Sequence, residues 1–180
     1  DRCLEAVSVI MDLGKVYYAI GPRKHNQPTV EKLHASGALP IVLQQHIDLL
    51  KAGEHQGVTH MNSGWNRVWA CLAPDAIMAL DSRISVALGR VFQEYSLDTK
   101  MALRVVSERV GFYQVGFPGR TVDGIPKVDK RPEVWALSSM HLSGFMLKFL
   151  QFCRKNNRHI LNGYPFSLRG LEAKLFMMGE

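Results

Sequence analysis

One acidic residue stands where chemistry can be arranged around it. The run Asn62-Ser63-Gly64-Trp65-Asn66-Arg67-Val68-Trp69-Ala70-Cys71-Leu72-Ala73-Pro74-Asp75 passes through Ala76-Ile77-Met78-Ala79-Leu80 into Asp81-Ser82-Arg83-Ile84. It predicts a glycine turn at Gly64, a short apolar helix, a proline stop, and an apolar approach to Asp81 at the start of the next helix. A carboxylate there is held ionised by the unpaired N–H groups of the first turn and by the helix dipole. Fixed in a partly apolar pocket, such an anion stabilises a developing cation or orients a nucleophile. Aspartate is also among the commonest N-cap residues, and a cap needs no chemistry.

The neighbours of Asp81 have two readings each. Arg83 opposes the dipole of the helix it opens, so it either pairs with an acid or a phosphate or points to water. Trp65 and Trp69 offer stacking surfaces for an extruded base or belong to the core, and Phe112, Tyr113 and Phe117 are weaker candidates for stacking. The sequence holds no Walker loop, no G-x-G-x-x-G after a strand, no G-x-S-x-G elbow and no H-E-x-x-H.

The elements that must position Asp81 read as helices. Expected segments are Leu4–Leu13, a short one from Thr29 to Leu33, Ile41–Lys51, and a stripe of Ile84, Ala87, Leu88, Val91, Phe92 and Tyr95 beginning just after Asp81. Met101–Val110 extends the helical pattern, whereas Gly111–Arg131 reads as a long loop. Pro132 opens a core helix through Cys153, with Leu142, Phe145, Met146, Phe149, Leu150 and Cys153 as its apolar surface. Ser167 caps a last helix that Gly179 closes. Gly53–Gly64 reads as a loop or hairpin. No strand ladder or internal repeat is evident, so an all-α single domain over residues 1–180, with roughly seven or eight helices, is expected.

Composition narrows the function classes. The 180 residues carry a net charge of +6, enough chain for a real core and enough positive charge to favour phosphate-rich partners. Basic residues concentrate in Lys148, Arg154, Lys155, Arg158, Arg169 and Lys174 against Glu172, and again in Arg120, Lys127, Lys130 and Arg131. The alternative is a solvated basic face. No run approaches the roughly 18 to 20 apolar residues of a membrane span, so a soluble protein without a membrane partner is expected. Cys3, Cys71 and Cys153 read as reduced core residues of a cytoplasmic protein, too few for an all-thiolate metal site. His55 and His60 have neither helix-face nor finger spacing, so neither metal nor cofactor is expected. With no initiator Met or signal-peptide pattern, the chain reads as beginning inside a longer frame or after removal of a leader or tag.

Asn66–Asp75, Leu80–Ile84 and Pro165–Gly179 resemble bacterial proteins described as having an 8-oxoguanine DNA glycosylase fold, within the helix-hairpin-helix DNA glycosylase superfamily. Elsewhere the match is only in helical character. The resemblance implies a compact multi-helix glycosylase-type domain that binds double-stranded DNA through phosphates. Gly64, Trp65, Asn66, Arg67 and Arg83 would lie against the DNA, and Asp81 would be the essential carboxylate. Bifunctional members use a lysine at the position that falls on Arg67, and a guanidinium cannot serve as that nucleophile. The Trp65-to-Asp81 interval is also shorter than the superfamily pattern. Two readings stay open: a monofunctional glycosylase that uses water, or a non-enzymatic DNA- or protein-binding module, as in a bacterial defence or regulatory system. A helical protein-interaction domain with no nucleic-acid role is a third.

Overall fold

The computed structural model describes residues 2–12, 22–80, 83–84, 86–87, 90–91, 94, 131–156, 160–161, 164–165 and 167–179. Among them are six bounded helices: α1 (Arg2–Asp12), α2 (Pro22–Ala35), α3 (Leu39–Ala52), α4 (Ser63–Leu72), α5 (Pro132–Lys155) and α6 (Leu168–Met178). Arg83, Ile84, Val86, Ala87, Arg90, Val91 and Glu94 are also helical, in the stretch where the stripe after Asp81 is expected. Among the described residues the arrangement is all-α apart from a two-residue antiparallel ribbon, β1 (Ile160–Leu161) with β2 (Tyr164–Pro165), in register Ile160 to Pro165 and Leu161 to Tyr164. No helix among the described residues is long and apolar enough to cross a membrane.

Local chemistry sets the helix ends. After α2, Gly37 takes φ 70°, its N–H donates to the His34 carbonyl, and Ala38 N–H donates to the Leu33 carbonyl. Gly53 repeats the device after α3 with φ 81°, donating to Leu50 while Glu54 N–H reaches Leu49. Both are Schellman closures, in which a left-handed residue turns the chain back to satisfy terminal carbonyls. A Cβ at Gly53 would touch nothing. Gly53→Ala should therefore isolate the conformational cost, lowering unfolding free energy by about 1 kcal/mol in a urea titration. Pro132 opens α5, and the Ser167 hydroxyl accepts the Gly170 N–H at 3.0 Å to cap α6, as the sequence suggests.

Several expectations need correction. The short helix at Thr29–Leu33 is the end of a longer one, because α2 starts at Pro22 and carries Pro28 inside it. Proline normally breaks a helix by removing an N–H and crowding the preceding turn. Gly64 lies not in a turn but in the first turn of α4, behind the N-cap Asn62. Gly179 does close α6, as expected, but with φ −86° rather than a left-handed conformation, and a Cβ there would collide with the Arg83 carbonyl. Cys71 is exposed rather than internal, whereas Cys153 is buried.

Two hydrophobic clusters form. The first unites α1 to α4, which all contact one another, around Met11, Leu39, Val68 and Trp69, and takes Ala136 from α5. The second joins Leu142, Met146 and Leu150 of α5 to Leu168, Leu171 and Leu175 of α6, together with Met78, Leu80, Ile84 and Ala87. The chain after α4 crosses between them, with Ala73 and Ile77 in the first cluster and Met78 and Leu80 in the second.

Candidate functional site

Helix α4 is buried nearly all round, with Gly64, Trp65, Asn66, Val68, Trp69 and Ala70 internal. The Asn62 side chain fixes its start by accepting N–H bonds from Gly64 at 2.9 Å and Trp65 at 3.2 Å. Asn62 and Asn26 of α2 exchange a further pair of amide bonds at 2.9 and 3.2 Å. Pro74 cannot continue the helix, and Ala73 leaves helical geometry as its cap.

Beyond that stop, three consecutive backbone N–H groups are caught by side chains from three different helices. Met78 N–H donates to Ser143 Oγ of α5 at 2.9 Å, Ala79 N–H to Glu172 Oε2 of α6 at 2.9 Å, and Leu80 N–H to Asn66 Oδ1 of α4. The Asn66 amide donates to Ser139 Oγ at 2.7 Å, and Ser143 Oγ donates to the Ser139 carbonyl at 2.7 Å. From α6, Arg169 donates through Nε to the Pro74 carbonyl at 3.2 Å and through Nη2 to the Ile77 carbonyl. Its Nη1 pairs with Glu172 at 2.5 Å. An irregular segment with no ladder of its own thus has its polar groups satisfied by a network at the seam of the two clusters.

That segment runs directly into Asp81, which, with Ser82, lies outside the described residues. Arg83 is half-buried, with its guanidinium 4.6 Å from the Phe176 ring centre, a cation–π contact. Arg67 is half-buried on α4. Trp65 and Asn66, expected against DNA, are 2 % and 0 % exposed and serve the interior instead. The buried Gly64 likewise presents no surface, because α4 is wrapped by α1, α2 and α3. Of the basic residues, Lys148, Arg154 and Lys155 on α5, Lys174 on α6 and Arg131 before α5 are exposed. Arg169 is turned to carbonyls. Arg120, Lys127, Lys130 and Arg158 lie outside the described residues, as do Phe112, Tyr113 and Phe117.

A second cluster was not signalled by motif spacing. His46 of α3 and His60 of the 53–62 loop flank Thr59, with Thr59 Oγ1 at 3.3 Å from His46 Nε2 and 2.8 Å from His60 Nδ1. Thr59 N–H donates to His46 Nε2 at 3.4 Å. Trp65 and Trp69 stack at 5.4 Å, His60 lies against Trp65 at 5.3 Å, and His46 meets Trp69 edge-on at 5.4 Å. Burial, and then the proximity of His60, pushes the His46 pKa down to about 4; burial lowers that of His60. Both rings are therefore neutral near pH 7.

His55 belongs elsewhere, beside His141 of α5, whose pKa is lowered by burial and by His55. No group of three or more His, Cys, Asp or Glu among the described residues is arranged to hold a metal ion. Although Cys71 is exposed, partial desolvation by its neighbours raises the thiol pKa, with Arg169 opposing and Glu172 reinforcing the shift, so it is a poor nucleophile near neutral pH.

No protein-family model, curated protein or solved structure matches this chain.

Proposed function

We propose that this protein binds double-stranded DNA and acts as a monofunctional glycosylase, hydrolysing the N-glycosidic bond of a modified base with Asp81. The observation supporting this reading is the capture of residues 78, 79 and 80 by Ser143, Glu172 and Asn66 immediately before that aspartate. A catalytic carboxylate must be held within a fraction of an ångström of its working position, and this is achieved when the supporting backbone is fixed by groups that are themselves fixed.

In the reaction, water attacks the anomeric carbon as the bond to the base breaks. The bond electrons leave with the base, which takes up a proton, and the attacking water loses one. Asp81 stabilises cationic character at the sugar and orients the water. Lys148, Arg154, Lys155 and Lys174 supply exposed positive charge for phosphates, so affinity should fall steeply with salt.

The second reading, a binding module without chemistry, is favoured by Arg67 at the lysine position and by the burial of Trp65 and Asn66. One experiment separates the two. Duplexes carrying oxidised, deaminated, alkylated or hypermodified bases are incubated with wild type and Asp81→Asn, then treated with alkali. Cleavage seen only after alkali and lost in the variant, with DNA binding retained, is the expected result. Duplex binding without base release would favour a DNA-binding module, and no binding even at low salt would reject the glycosylase and leave a protein-binding module.

A further inference from the structure

A cavity of about 470 Å3 opens between α2, the 53–62 loop and the start of α5, lined by Asn26, Thr59, His60, Trp65, Pro132 and Trp135 among others. Its volume falls in the range of small-molecule sites. No Lys, Arg, Asp or Glu is among the described residues lining it. Its walls combine indole, proline and methyl surface with a few fixed polar groups. Asn26 and Asn62 are locked to one another and the 2.8 Å bond to Thr59 Oγ1 occupies His60 Nδ1. His60 Nε2 makes no hydrogen bond to any described residue.

Thr59 also determines what His60 can offer. Its hydroxyl either donates to His60 Nδ1, leaving the imidazole proton on Nε2, or donates to His46 Nε2 and accepts from His60 Nδ1–H, leaving Nε2 as an acceptor. Exchange through one hydroxyl lets the neutral ring serve either partner. Half-buried Trp135 and His60 supply flat surface beside this edge. We infer that the cavity binds an uncharged planar heteroaromatic ring whose hydrogen-bonding edge meets His60 Nε2 and whose face packs on Trp135. Absence of charge among the described lining residues disfavours an ionised ligand, and the two aromatic rings favour a flat one over an aliphatic one. The inference requires neither Asp81 nor a duplex, so it stands or falls apart from the DNA reading.

Adenosine, guanosine, cytidine and uridine are suitable probes, titrated to about 5 mM against intrinsic tryptophan fluorescence, with the His60 ring followed by NMR. At least one nucleoside should quench saturably and shift the His60 ring signals. His60→Phe, which keeps a ring but loses the nitrogens, should weaken it about tenfold. Trp135→Leu should weaken it by a similar or larger factor through lost stacking. Thermal melts establish that each variant is folded; the wild-type ring shift gives a readout that depends on neither. Absence of saturable binding by all four nucleosides, or binding undiminished in both folded variants, would overturn the inference.

Discussion

Asn66→Ala is expected to lower the free energy of unfolding by about 3–5 kcal/mol, a large share of what a single domain has. Asn66 is completely buried, accepts the Leu80 N–H and donates to Ser139 Oγ. Truncation leaves that buried N–H unpaired, removes a bond from the serine and opens a cavity beside Trp69. Asn66→Leu separates the contributions, because it fills the space but cannot accept from Leu80. Urea titrations should place Asn66→Leu well below wild type and near Asn66→Ala. If Asn66→Leu matched or exceeded wild type, the residue would be acting through volume alone, and the tethering of the segment before Asp81 would lose its energetic basis.

The origin of that tether shows how far the residues could be read alone. Helix ends were legible because their causes are local. Pro132 and Ser167 start helices, and Gly53 ends one, through groups within a few residues. The apolar face of α5 was legible only where Leu142, Met146 and Leu150 recur at helical spacing. Its first half buries Ala136, Ser138, Ser139 and Ser143, a small and polar surface that no hydrophobic pattern marks. Ser143 is internal because it meets the Met78 N–H, 65 residues away in sequence.

Asn66 and Trp65 fall against DNA only through the resemblance, and Trp65 reads equally as a core residue. In the fold α4 is enclosed on almost every side. A signal was present: Asn66 stands three residues before Trp69 and four before Ala70, within the buried stripe. The α2 boundary failed differently, since Pro28 breaks helices far more often than it sits inside one. The β1–β2 ribbon was also signalled, by Asn162-Gly163 between Ile160-Leu161 and Tyr164-Pro165. The histidine pairs were beyond sequence reasoning. His60 is near His55 in the chain but meets His46 in the fold, while His55 lies within electrostatic reach of His141.

Those pairs make acid stability the second large effect. His46 is 4 % exposed, its Nδ1 is buried without a hydrogen-bond partner, and its ring lies 5.5 Å from that of His60. The folded state holds the His46 pKa at about 4 against 6.5 for the free side chain. Between those values the unfolded chain binds a proton that the native protein refuses. Stability from this group is therefore full above pH 6.5, declines as pH falls, and is exhausted near pH 4. The span corresponds to at most about 3 kcal/mol. His60 and His141 shift in the same direction, so their losses add to the slope on the acid side of neutrality. Carboxylates also titrate below pH 5, so the informative quantity is a difference between proteins. His46→Gln removes the ionisation and keeps an oxygen that can accept the Thr59 N–H. Urea titrations at several pH values from about 7 to 4.5 should show the variant below wild type at neutral pH and the two converging as the medium is acidified. Parallel profiles over that window would mean that His46 charges without cost, and that its neutrality has no part in holding the 53–62 loop against α3.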